Sequence, residues 1–98
     1  MDNSKDGGKG YNIGMFYLYI LKCVDKTLYT GITTDLKRRV AEHNSSKLGA
    51  RYTHSRRPVK VVYSKKFKNR SLASREEARI KGLKRGEKLR LISYEEKS

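Results

Sequence analysis

Apolar positions along the chain fall into short blocks separated by Lys- and Arg-rich stretches, and the spacing within each block predicts an element. From Phe16 to Val24 the chain reads FYLYILKCV, a β-branched and aromatic run suited to a strand buried on both faces. Asp25 and Lys26 supply a tight turn. Thr27 to Thr33 (TLYTGIT) alternates as the antiparallel partner would, which completes a hairpin. Gly31 lies inside that second strand, and glycine there marks a bulge or a close approach to the backbone.

Helical spacing follows. Asp35, or Thr34 before it, is a suitable N-cap, and Leu36 and Val40 in LKRRVAEHNSS sit four residues apart on one stripe. Residues 45–57 (SSKLGARYTHSRR) read as a basic loop with room for one helical turn. Pro58 opens a third strand, VKVVYSKKF, at a position where no ladder donor is lost. Ser71 to Leu83 is an amphipathic helix with Leu72, Ala73, Ile80 and Leu83 on or near one face. The remainder, KRGEKLRLISYEEKS, predicts a short helix carrying Leu89 and Ile92. The order ββαβαα defines a small α+β domain: a three-stranded antiparallel sheet flanked by helices. Residues 1–14, rich in Gly, Lys and Asp, have no apolar period and read as a flexible tail. The folded unit is expected over 15–94, with 95–98 frayed.

Charge changes the picture most. Among 98 residues, 24 Lys and Arg oppose 10 Asp and Glu, a formal charge of +14. An excess of this size exceeds ordinary solubility needs and points to a polyanionic partner, nucleic acid foremost. Cys23 stands alone, which excludes an intramolecular disulfide and a cysteine-built zinc site, and its apolar setting makes it a small core residue. The longest apolar stretch, Met15 to Leu21, is far too short to span a membrane, and no signal-peptide pattern precedes it. A cytoplasmic protein is expected.

The chemistry-bearing residues are regularly spaced. Tyr19 and Tyr29 lie ten residues apart on the two hairpin strands, Arg39 follows ten later, and His43 lies four beyond Arg39 on the same helix face. Hairpin and helix together can gather two phenols, a guanidinium and an imidazole at one end of a sheet.

These residues also carry a resemblance. Tyr17-Leu18-Tyr19, Tyr29-Thr30-Gly31, Arg39 and Glu77, together with the segments YLYILKC, LYTGITTDLKRRVAEHN, ARYTHSRRPVKVVY and EARIKGLKRGEKL, resemble a GIY-YIG nuclease domain over about residues 15–92. The match is nearest to small bacterial proteins of that superfamily. Two positions depart from the pattern: Tyr17 replaces the glycine of the first triplet and Thr30 the isoleucine of the second. The resemblance implies a metal-dependent endonuclease hydrolysing DNA phosphodiesters, structure-selective and acting in repair or recombination. It implies Glu77 as the single protein ligand of Mg²⁺ (or Mn²⁺) and Arg39 as the clamp on the scissile phosphate. Tyr19 or Tyr29 would be the general base, with His43 orienting the water or sharing that task. A free phenol is only about one part in a thousand ionised at pH 7, so a base role demands a lowered pKa.

Plainer explanations stand beside each assignment. Strand tyrosines are more often core residues with a satisfied hydroxyl. Arg39 lies in a basic run that can simply face solvent, and His43 near a helix end can serve the helix dipole. Ser74 to Glu77 has the form of a capping box, which would make Glu77 structural, although Leu72 and Ala73 place the helix start upstream. Glu76 is the alternate ligand. Substrate grip is expected from Lys47, Arg51, Tyr52, Arg56 and Arg57, with Tyr52 able to stack on a base, and from Lys65, Lys66, Lys68 and Arg70 beyond the third strand. The sequence carries no separate DNA-recognition module, which favours branched or single-stranded substrates and leaves room for a partner protein that selects them. A non-catalytic nucleic-acid binder, for RNA as readily as DNA, explains the charge equally well.

Overall fold

A computed structural model describes residues 15–45 and 48–97. The tail expected over 1–14, Lys47 and Ser98 lie outside the described residues. The elements run β1 (Phe16–Lys22), β2 (Leu28–Thr33), α1 (Leu36–Ser45), α2 (Arg51–His54), β3 (Lys60–Phe67), α3 (Arg70–Lys81) and α4 (Arg85–Lys97). The sheet is antiparallel throughout, in the order β2-β1-β3. The fold class is thus the α+β arrangement expected. The basic loop does contain a helical turn, α2, and the last helix continues past residue 94 to Lys97.

The central place of β1 explains its unbroken hydrophobicity. Leu18 and Ile20 face one side of the sheet, where Tyr63, Ile80 and Ile92 join them and α3 and α4 cover them. Tyr19, Leu21 and Cys23 face the other, with Val59, Tyr29 and the α1 residues Leu36 and Val40. Each fully buried aliphatic side chain contributes roughly 2 kcal/mol, so these two thin layers supply most of the fold's stability. Of the two apolar residues expected on the last helix, Ile92 is buried against the sheet and Leu89 is 40% exposed.

Local chemistry fixes the ends of the elements. The hairpin turns through Lys26, whose φ of 73° is left-handed, while Asp25 accepts hydrogen bonds from the Thr27 amide and hydroxyl. Asp35 caps α1 by accepting from the Arg38 amide at 3.1 Å. At the other end, Asn44 behaves as a strand partner, donating to the Val59 carbonyl at 3.0 Å and accepting from its amide at 2.7 Å. This ties α1 to the entrance of β3. Helix α3 begins one residue before the expected Ser71, with Asn69 as N-cap accepting from the Leu72 amide at 2.9 Å. The capping-box explanation of Glu77 is thereby excluded: Ser74 and Glu77 both lie inside the helix.

Candidate active site

Register brings the two tyrosines together. Tyr19 pairs with Gly31 and Leu21 with Tyr29, so both phenols lie on the same face as diagonal neighbours rather than directly opposite, with ring centroids 6.4 Å apart. The irregularity anticipated at Gly31 falls elsewhere, between β1 and β3 at Ile20/Leu21. Gly31 serves as a close approach. A Cβ built there would stand 2.6 Å from the Tyr19 hydroxyl oxygen and 2.8 Å from its Cζ. Glycine is what lets the Tyr19 ring lie across β2.

His43 completes the cluster from α1. It is fully buried, its ring 5.9 Å from Tyr19 and 5.2 Å from Tyr29, and its Nε2 lies 3.0 Å from the Tyr19 hydroxyl. Burial, with the Arg39 charge second, lowers its pKa to about 4, so the imidazole is neutral at pH 7. A neutral ring cannot serve as a cation for the helix dipole, and that explanation falls. Tyr19 moves in the direction opposite to the one required of a lone phenolate base. Burial, opposed by a hydrogen bond from Arg39 and reinforced by the Tyr29 and Glu77 charges, pushes it up to about 12.

Arg39 is anchored through Nη1, which donates to Glu42 Oε1 at 2.8 Å and to the Leu48 carbonyl at 2.7 Å. That leaves the rest of the guanidinium fork for Tyr19 and for an anion. The Glu42 anchor lies three residues on, an i,i+3 pair that helical spacing alone could have revealed. Glu77 lies on α3, and its charge is the weakest of the influences that act on Tyr19. Its side chain is 23% exposed and, among the described residues, is ion-paired with Lys81 at 3.2 Å. Glu76 is instead held by both oxygens on Arg79, at 2.9 and 2.7 Å. The clamped carboxylate is the poorer metal ligand. Tyr19, Tyr29, Arg39 and His43 therefore meet on one face of the sheet, as their spacing anticipated, and the Glu77 charge reaches Tyr19 from α3.

The basic loop is built differently from its sequence reading. Tyr52 stacks on Tyr29 with centroids 5.9 Å apart, and the Arg56 guanidinium lies 4.1 Å over its ring. Arg56 also donates to Asp25 at 3.0 Å and to the Tyr52 carbonyl at 2.9 Å. The ring expected as a platform for a base is thus held between Tyr29 and Arg56 while remaining 38% exposed. Arg57 donates to the His43 and Glu42 carbonyls at the end of α1. Arg51 is exposed, beside an open cavity of about 460 Å³ lined also by Gly49, His54 and Ser55. Lys65, Lys66, Lys68 and Arg70 are exposed along and beyond β3. The sequence reading missed Thr53, fully buried with its hydroxyl 2.8 Å from His43 Nδ1. Nothing in the linear pattern sets it apart from its polar neighbours.

Among the described residues no three His, Cys, Asp or Glu side chains converge on a metal site. The donor set nonetheless fits Mg²⁺, which takes one or two carboxylates and fills its shell with water and phosphate oxygens. A lone carboxylate held by one exposed i,i+4 lysine suits that pattern, and such a pair is weak enough to yield.

A small α+β domain with a tyrosine–histidine–arginine cluster, and a Glu77 carboxylate not clamped by an arginine, has the parts of a phosphodiester-cleaving centre. Residues 15–90 match the GIY-YIG catalytic domain, and the chain belongs to that family. It is 52% identical over 82 residues to a UPF0213 protein of Desulfotalea psychrophila, covering 84% of this chain and 74% of that one. A UPF0213 protein of Syntrophus aciditrophicus is 54% identical over 76 residues, covering 78% and 87%. Among solved structures, the solution NMR structure of a UPF0213 protein from Bacillus halodurans is 41% identical with a TM-score of 0.54, covering 82% of this chain and 84% of its own. No helix among the described residues is long and apolar enough to cross a membrane.

Proposed function

We propose that this protein is a divalent-metal-dependent DNA endonuclease, selective for branched or single-stranded features and acting in repair or recombination. The observation that carries the reading is the meeting of Tyr19, Tyr29, Arg39 and His43, with the Glu77 charge reaching Tyr19, on a chain of formal charge +14. Glu77 would hold Mg²⁺ or Mn²⁺, and a bound ion would offset the charge that builds on the phosphate and the leaving oxygen. Arg39, fixed by Glu42, offers its remaining donors to the scissile phosphate and stays cationic. Tyr19 and His43 act as one hydrogen-bonded pair on the attacking water, because burial opposes a standing phenolate on Tyr19. Tyr29, braced by Tyr52, donates its hydroxyl to a phosphate oxygen. Arg51 and the β3 lysines hold the flanking backbone without reading sequence.

The test is cleavage of labelled hairpin, flap and fork DNAs with and without Mg²⁺. Glu77→Gln is expected to lower turnover by about a thousandfold or more while leaving DNA affinity near the parental value. A variant that cuts at the parental rate removes Glu77 from the chemistry. A wild type that binds every substrate and cuts none leaves a nucleic-acid binder on a nuclease fold.

A further inference from the structure

Thr53 has no part in the chemistry so far assigned, yet it is fully buried against the imidazole that partners Tyr19. Its hydroxyl lies 2.8 Å from His43 Nδ1 and 2.9 Å from the Ala50 carbonyl, and its amide donates to that same carbonyl at 3.1 Å. A threonine hydroxyl has a single hydrogen to give, and a neutral imidazole has one N–H. Two arrangements are therefore open.

In the first, the Thr53 hydroxyl donates to the Ala50 carbonyl and accepts from His43 Nδ1–H. Nε2 is then bare and accepts the Tyr19 hydroxyl proton at 3.0 Å. Every contact in this chain is 3.1 Å or shorter. In the second, Thr53 donates to a bare Nδ1 and Nε2–H donates to Tyr19. That gives up the bond to the Ala50 carbonyl and gains only the Ala50 amide on Nδ1 at 3.4 Å. Such a length lies beyond the usual N–H range of about 2.7–3.2 Å. The first arrangement is the better bonded.

We propose that Thr53 is a positioning residue that holds His43 in its Nδ1–H tautomer, turns the Tyr19 proton onto Nε2, and leaves the Tyr19 oxygen as an acceptor. The second tautomer would instead send the Tyr19 hydrogen outward. What the acceptor then does rests on the nuclease reading. It takes a hydrogen bond from the attacking water. As the water oxygen bonds to phosphorus and the bond to the leaving oxygen breaks, the water proton passes to Tyr19 and the Tyr19 proton to His43. The phenol ends neutral, and the imidazolium, a ready acid in this buried setting, returns its proton to Tyr19 as the Tyr19 hydroxyl gives its own to the leaving oxygen.

The tautomer can be read without any substrate. In the full chain with ¹⁵N-labelled histidine, long-range ¹H–¹⁵N spectra at neutral pH are expected to show a protonated Nδ1 and a bare Nε2 for His43. The reverse pattern overturns the proposal. Thr53→Val should mix or invert the two nitrogen signals, and Thr53→Ser should restore them; a valine variant that keeps the parental pattern also overturns it. If the valine variant does not fold, the wild-type and serine spectra still decide. On a cleaved substrate, Thr53→Val should lower kcat by about a hundredfold with KM held, with recovery in Thr53→Ser. Tautomer shifts as expected beside a wild type that cuts nothing would uphold Thr53 and sink the nuclease reading. An active wild type with an unmoved tautomer would do the opposite.

Discussion

The two faces of the sheet are built on different principles, although one strand supplies the middle of both. On the α3/α4 side, Leu18, Ile20, Tyr63, Ile80 and Ile92 form a layer in which shape and volume matter and hydrogen-bond direction hardly does. On the α1 side, Tyr19 and His43 are buried with Thr53, and each has a polar partner within hydrogen-bond distance. A buried polar group is costly unless it is bonded, so this second layer tolerates few arrangements. His43 and Tyr19 are both neutral at pH 7, which spares that layer an unpaired buried charge. One face holds the fold together and the other holds side chains in fixed directions.

Substitutions should separate the two. Ile80→Ala opens a cavity in the apolar layer and is expected to cost about 2–5 kcal/mol in denaturant unfolding, with turnover per folded molecule unchanged. A large loss of turnover in that variant would merge the two roles. Acid should attack the polar face. His43 has a folded pKa of about 4 against an ordinary 6.5, so the unfolded chain takes up a proton that the folded chain refuses. That contribution is whole above pH 6.5 and is lost as pH falls toward 4, about 3 kcal/mol in all. Urea titrations across that window should show the decline, and His43→Gln should flatten it. Gly31→Ala sharpens the contrast at smaller cost. Its methyl displaces the Tyr19 hydroxyl, so stability should fall by about 1–3 kcal/mol while cleavage nearly disappears. Normal cleavage by that variant would show that the placement of Tyr19 is not needed.

What the sequence made legible follows the same division. The run FYLYILKCV identified a strand buried on both faces, because burial on both faces needs only composition, although β1 ends at Lys22 and Val24 beyond it is 58% exposed. The pairing of phenols, Arg39 and His43 followed from hairpin and helix spacing, since local geometry alone sets it. Glu77 was preferred to Glu76 on the resemblance, and the structure adds a local fact, the Arg79 clamp on Glu76, and a distant one, the Glu77 charge felt at Tyr19. Tyr52, Arg56 and Arg57 read as substrate contacts because their charge and aromaticity are visible. Their intramolecular partners Tyr29, Asp25 and the end of α1 are distant in the chain and leave no periodic trace. Thr53 was hidden for the same reason.

Tyr19 and His43 are proposed to work as one unit, and a double-mutant cycle on the single-turnover cleavage rate tests this most directly. Tyr19→Phe, His43→Gln and the pair together should be strongly non-additive, the double variant being scarcely slower than the worse single. Losses that simply add would mean that the two residues act separately, and the polar face would be packing rather than machinery.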